Sequence, residues 1–244
     1  MQGRFWIMIM DSRKLWNIST VLAFLLLAIA PLQVLARGKP GHLDTAKVLA
    51  HMDRSARQLK TLSADIKYTK VTVVVNDFSS ESGKMYFRNA KSPDLLINFT
   101  TPAPKVILLK KDKAEIYQPR INQIQEFDLS KHASLFQQFL SLGFGSSSSE
   151  MQKTYKVKYL KEEQLGGDTT AVLELIPRKA NLAAQLPKIH LWISEESWLP
   201  VQQKFFEAGG DYSIARYSSV KVNRDLPSST FRIHAAKGAK RVKM

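Results

Sequence analysis

Cysteine is absent from all 244 residues, which excludes a disulfide framework, thiolate catalysis and attachment of lipid to a leader cysteine. Zinc spacing is missing too. The five histidines, His42, His51, His132, His190 and His234, are scattered, and no H-E-x-x-H or comparable ligand pattern joins them. There is no G-x-S-x-G elbow, and "GFG" before the serine run 146–149 lacks the lysine of a phosphate loop. The paired carboxylates Glu162-Glu163 and Glu195-Glu196 fall in predicted turns, where adjacent side chains diverge and keep the surface soluble. No enzyme is expected, and no metal or organic cofactor.

Long apolar runs are scarce as well. The longest is "VLAFLLLAIA", Val21 to Ala30, well short of the roughly 20 residues that span a bilayer. It follows Arg4, Arg13 and Lys14 and precedes Val34-Leu35-Ala36, the layout of an export signal. Residues 1–36 are therefore expected to be a leader cleaved after Ala36, with 37–244 forming one domain.

Positive charge is plentiful: 36 Lys and Arg against 21 Asp and Glu give a formal +15, or +13 once the leader is removed. In an exported chain such a surface meets lipid headgroups, polyanionic envelope polymers or acidic partner proteins before nucleic acid. Most of the basic residues are spread evenly, as on a solvated surface. Lys237, Lys240, Arg241 and Lys243 form one C-terminal cluster, a candidate contact with an anionic membrane.

Periodicity supplies the elements. Asp44 can cap a helix bearing Leu49, Met52, Ala56, Leu59 and Leu62 at spacings of three and four. Alternation with a period of two follows: Ala64, Ile66 and Tyr68, then Val71, Val73 and Val75 in the opposite phase, predicting a bulge near Lys70. Strands are predicted over 84–88, 95–100, 106–109, 114–117 and 121–127, with "NDFSSESG", "SPD" and "KKDK" as turns. A second helix is predicted from Ser130 to Leu142, ending at Gly143, and "GFGSSSS" reads as a loop. Further strands are predicted over 155–160, 170–176, 189–193, 201–206, 212–217, 219–222 and 231–233, with a short helix or loop at "RKANLAAQLPK".

The resulting class is α+β, an antiparallel sheet of about eleven strands with few helices. Its apolar alternation, Met85 and Phe87, Leu95, Ile97 and Phe99, Leu173 and Leu175, Leu191 and Ile193, makes one face that something must cover. At this point a filled core and a cavity are both open.

The order of these segments resembles the LolA family of periplasmic lipoprotein carriers. The resemblance runs from "LAHMDRSARQLKTLSADIKYTK" through "GKMYFRNAKSPDLLINFTTP" and "KVILLKKDKAEIYQPRINQIQEFDL" to "IHLWISEESWLPVQQKFFEAGGDYSIARYSSVKVN" and "LPSSTFRI". It implies an incomplete, half-open antiparallel β-barrel whose concave apolar face is lidded by helices. It also implies a monomeric periplasmic carrier that takes acylated lipoprotein from an inner-membrane ABC transporter to an outer-membrane receptor.

On that basis the acyl cavity is expected between a sheet wall (Ile66, Tyr68, Met85, Phe87, Leu95, Ile97, Phe99, Leu173, Leu175, Leu191, Ile193) and a lid helix (Leu135, Phe136, Phe139, Leu140). Family members carry a basic latch residue before the turn proline. Here Ser92 precedes Pro93, so the latch is weaker, absent, or moved to Arg88 or Lys91. Leu96 is expected to be an exposed partner contact. The alternatives are a carrier of free lipid, a sensor of mislocalised lipoproteins on the same fold, or an envelope module with a filled core.

Overall fold

The computed structural model describes residues 43–129, 142–145 and 147–244. The predicted leader and the predicted lid residues Leu135, Phe136, Phe139 and Leu140 lie outside the described residues. No described helix is long and apolar enough to cross a membrane.

Helix α1 (Thr45–Gln58) begins where the Asp44 carboxylate accepts from the Lys47 amide at 2.8 Å, satisfying one of the free N–H groups of the first turn. It buries Val48, Leu49, Met52 and Ala56. Two asparagines from distant segments satisfy the carbonyls of its last turn. Asn89 Nδ2 donates to Leu59 O at 2.9 Å, and Asn223 Nδ2 donates to Gln58 O at 3.0 Å while its Oδ1 accepts from the Lys60 amide at 2.7 Å. Such carbonyls have no partner within the helix, so these bonds fix the angle at which the chain enters the sheet.

The strands are β1 (Thr61–Thr72), β2 (Asp77–Arg88), β3 (Asp94–Thr101), β4 (Lys105–Lys110), β5 (Lys113–Gln118) and β6 (Gln123–Asp128), then β7 (Tyr155–Leu165), β8 (Asp168–Pro177), β9 (Lys188–Ser194), β10 (Pro200–Phe206), β11 (Tyr212–Val222) and β12 (Lys240–Lys243). They form one sheet in the order β12-β6-β5-β4-β3-β2-β1-β11-β10-β9-β8-β7. Two antiparallel meanders join where β1 pairs β11. The sheet does not close, because β12 and β7 are both free edges, and the expected α+β open sheet is what is observed. Two short helices, α2 (Ser148–Thr154) and α3 (Ala180–Ala183), and two 3-10 turns, Pro119–Ile121 and Ser228–Phe231, complete the described elements.

Several expectations about connections are corrected. Of "NDFSSESG" only Asn76 lies in the turn, and 77–83 are the first half of β2, whose polar side chains suit an exposed hairpin arm; the chain reverses at 73–76, with Asn76 at φ 48° and its amide donating to Val73 O. There is no bulge at Lys70, since β1 and β2 pair without interruption from Thr61↔Arg88 to Thr72↔Asp77. The irregularity lies on the other side of β1, between Ser63 and Asp65, opposite Ser219 at φ 51°. That bulge lets 212–217 and 219–222 run as one strand. The strand expected over 231–233 does not form: Phe231 ends a 3-10 turn (Ser228–Phe231), and 232–233 follow it without strand pairing. The basic C-terminus is the edge strand β12, parallel to β6, and Arg241 donates to Glu115 at 2.7 Å and to Glu126.

The inner face, where α1 packs, holds two adjoining cores. The first gathers Leu62, Phe87, Leu95, Leu109 and Ala114 around Leu59, Phe144 and Leu199. The second gathers Leu173, Leu175, Leu191 and Ile193 around Val48, Leu49 and Met52 of α1, with Met151 and Leu182. On the outer face Leu96 and Leu108 pack beneath Phe231, Leu226 and Ile233 of the segment after β11. Leu96 is thus buried, at 6% exposure, and the expectation of an exposed contact there is corrected.

Candidate binding cavity

Strand register builds the wall. One row across the inner face runs Ala64, Met85, Ile97, Ile107, Ile116, Gln125; the next runs Ile66, Gly83, Phe99, Lys105; the next pairs Tyr68 with Glu81. The row on the other side, Leu62, Phe87, Leu95, Leu109, Ala114, Phe127, is filled by Phe144, which lies edge-on to Tyr217 with ring centroids 5.1 Å apart. Beyond that plug the face opens into a cavity of about 350 Å³, within the roughly 300–1,000 Å³ of ordinary ligand pockets.

Its walls come from Ile66, Tyr68, Ile97, Phe99, Ile107 and Ile116 on one side and from Phe205 and Ala215 on the other. Gln125 of β6 and Phe205 of β10 both touch it, although those strands are seven steps apart in the sheet. A flat sheet would separate them by about 34 Å at ~4.8 Å per strand. The sheet must therefore curl around the cavity, as a half-open barrel does.

Two sets of polar groups at the cavity are paired. Gln203 is fully buried; its Nε2 donates to Leu142 O at 2.6 Å and its Oε1 accepts from the Tyr217 hydroxyl at 3.1 Å. This pair ties 142–145 to the sheet and holds Phe144 in the face. Toward the rim, Lys105 Nζ donates to both Glu81 oxygens at 2.7 and 2.6 Å and stands 5.0 Å from the Phe99 ring centroid. The ion pair neutralises both charges where they border apolar space.

Burial raises the Tyr217 phenol well above its ordinary pKa, and pushes Tyr155 up to about 12. Both phenols titrate later in the folded chain than in the unfolded one, so the unfolded state loses its protons first as pH rises. The stability the two phenols contribute is accordingly full below about pH 10 and declines above it, that of Tyr155, roughly 2–3 kcal/mol, between about 10 and 12. Urea midpoints measured across that range are expected to fall; a flat profile would show that the phenols are solvated.

The predicted wall divides on this geometry. Ile66, Tyr68, Ile97 and Phe99 line the cavity. Met85 is buried in the row of Ile97 without reaching the cavity, Phe87 and Leu95 lie in the packed row beside it, and Leu173, Leu175, Leu191 and Ile193 pack in the core under α1. The β8–β9 part of the expected wall is corrected: α1 occupies the space in front of it. Sequence reasoning missed Ile107, Ile116, Phe205 and Ala215, though alternation within β4 and β5 carried the signal for the first two.

The latch expectation is also corrected for Arg88. Its side chain lies on the outer face, where Nε donates to Asp94 at 3.0 Å, Nη2 bonds the same carboxylate, and the guanidinium stands 4.6 Å from the Phe231 ring centroid. Lys91 occupies an exposed turn between β2 and β3. Among the described residues no cluster of His, Asp and Glu is placed to hold a metal ion.

Comparison with solved structures finds similarity at low identity. An uncharacterized conserved protein from Thermus thermophilus aligns with a TM-score of 0.53 and 11% identity over 82% of this chain and 98% of its own. MucB aligns with a TM-score of 0.50 and 11% identity over 77% of this chain; the match spans 62% of MucB's length. A LolA superfamily protein from Nitrosomonas europaea aligns with a TM-score of 0.40 and 16% identity over 79% of this chain and 99% of its own. No curated protein sequence matches. A family model whose description reads "-like: Uncharacterized protein" matches residues 93–228, more than half of the chain. The chain belongs to that family.

Proposed function

We propose that this protein is a non-enzymatic, extracytoplasmic carrier that shields an acyl chain of a lipid or lipoprotein in the inner-face cavity. The observation that carries the reading is the apolar cavity itself, walled by Ile66, Ile97, Phe99, Ile107, Ile116 and Phe205 with the charged groups confined to one neutralised pair. Removing an acyl chain from water is worth about 0.8 kcal/mol per methylene, so hydrophobic contact alone supplies affinity and no catalytic group is needed.

Its volume favours one chain over several. In this reading the cargo is handed between an inner-membrane transporter and an outer-membrane receptor in the periplasm, as the LolA resemblance implies. A filled-core module is disfavoured because, with α1 filling the β8–β9 part of the inner face and Phe144 the row beside the cavity, the part lined by Ile66, Ile97, Ile107 and Ile116 stays open among the described residues.

The test is a titration of purified, detergent-free protein with a fluorescent fatty acid, followed by competition with an acylated peptide and with the same peptide lacking its acyl group. Saturable binding reversed only by the acylated peptide supports the carrier. Lack of saturable binding contradicts it.

A further inference from the structure

Five of the eight large apolar side chains that stand exposed among the described residues lie at one end of the sheet: Val73 (51%), Val74 (85%), Val75 (68%), Phe78 (71%) and Ile121 (61%). The first four form the β1–β2 hairpin tip. This tip breaks the rules of its own turn, because reversals exposed to water favour Gly, Asn, Asp and Ser, whereas three consecutive valines lead into Asn76, the residue at positive φ. Local choices that oppose local structure concentrate at functional sites.

The tip also projects. β2 pairs with β3 only from Ser82↔Thr101 onward, so residues 77–81 extend past β3 with β1 as their neighbour. At about 3.3 Å per residue, Val74 lies roughly 20 Å along the chain beyond Tyr68, which lines the cavity.

The second apolar point is at the same end. Ile121 closes the turn between β5 and β6, three residues beyond Gln118 of the cavity wall. Arg120 donates across to Pro102 O in the β3–β4 connection, and Asn122 bonds the backbone of Lys237 and Lys240. Of the acidic groups here, Glu81 is matched by Lys105, Glu207 lies 3.9 Å from Lys70, and Asp211 accepts from the Val73 amide; Asp77 is exposed on the tip. Among the described residues no carboxylate pairs with Arg120, Lys237 or Lys240.

We propose that this end of the sheet is a docking edge for an anionic lipid surface. Val74, Val75 and Phe78 enter the headgroup region, and Arg120, Lys237 and Lys240 face lipid phosphates. A narrow apolar projection flanked by cations fits an interface that yields to insertion and carries negative charge. The mouth residues Tyr68, Glu81, Lys105 and Gln118 would then face the bilayer from which an acyl chain is taken or to which it is returned. That last step rests on the carrier reading; the docking itself does not.

The experiment is sedimentation of the purified protein with vesicles of phosphatidylethanolamine and phosphatidylglycerol, with phosphatidylcholine vesicles in parallel. The wild type is expected to bind the anionic vesicles and to weaken as salt rises. Combining Val74→Ser, Val75→Ser and Phe78→Ser should lower the partition coefficient at least about tenfold without moving the urea midpoint. Combining Arg120→Gln, Lys237→Gln and Lys240→Gln should remove most of the salt dependence. Wild-type protein that ignores anionic vesicles, as it would if the tip served a protein partner, overturns the proposal. So does a tip variant that partitions as the wild type does. Fluorescent fatty acid binding without vesicles separates the two ideas: if it persists while vesicle binding is absent, docking fails and the carrier stands; vesicle binding without fatty acid binding gives the reverse.

Discussion

Ile97→Glu is expected to lower acyl-ligand affinity at least about 100-fold and to destabilise the fold by roughly 3–5 kcal/mol. Ile97 is 1% exposed, between Met85 and Ile107 in the row that floors the cavity. No cation in that row pairs with a carboxylate placed there, so the group either stays protonated or draws water into the pocket. Both outcomes oppose an acyl chain. Ile116→Glu supplies the folding control, since Ile116 lines the same cavity but is only half-buried. It should keep a near-native urea midpoint and still lose most ligand binding. Unchanged affinity in both variants would remove this cavity from the account.

Gly83→Val is expected to cost about 3 kcal/mol or more, at the upper end of what overpacking does. A Cβ at this position would stand 2.0 Å from Asn98 O and 2.7 Å from Phe99 Cα. Both are backbone atoms, so no side-chain rotation relieves the clash. β3 would have to move, and with it Phe99, where the register already shifts between Ser82 and Gly83. Loss of ligand affinity should therefore accompany the loss of stability. Gly209→Ala is the contrast: nothing lies within 4 Å of its added Cβ, and its urea midpoint should correspond to a change within about 0.5 kcal/mol. Equal midpoints for the two variants would mean that β2 and β3 do not approach as described.

How much of this was legible in the sequence varies by element, for identifiable reasons. α1 was readable because a cap and an apolar stripe coincide: Asp44 bonds the helix start while Leu49, Met52 and Ala56 share one face. The β3 wall was readable from Leu95, Ile97 and Phe99, because alternation with a period of two assigns a face without any knowledge of partners.

Alternation does not say what covers that face. Leu96 and Leu108 are apolar on the opposite side, and only the C-terminal segment carrying Phe231, more than a hundred residues downstream, explains why. The same limit separated Leu173 and Ile97, which look alike in sequence; α1 fills the space before one and leaves the other facing a cavity. The hairpin at 73–76 was misread because its residues favour strand over turn. β12 escaped notice since a parallel edge pairing with β6 depends on contacts remote in sequence.

The most direct test of the account is native mass spectrometry of the protein purified without detergent from a cell that exports it and makes lipoproteins. A mass above that of the chain by one acylated species is expected, released when organic solvent unfolds the protein and diminished in Ile116→Glu. A bare chain mass that persists after incubation with acylated peptide would contradict it.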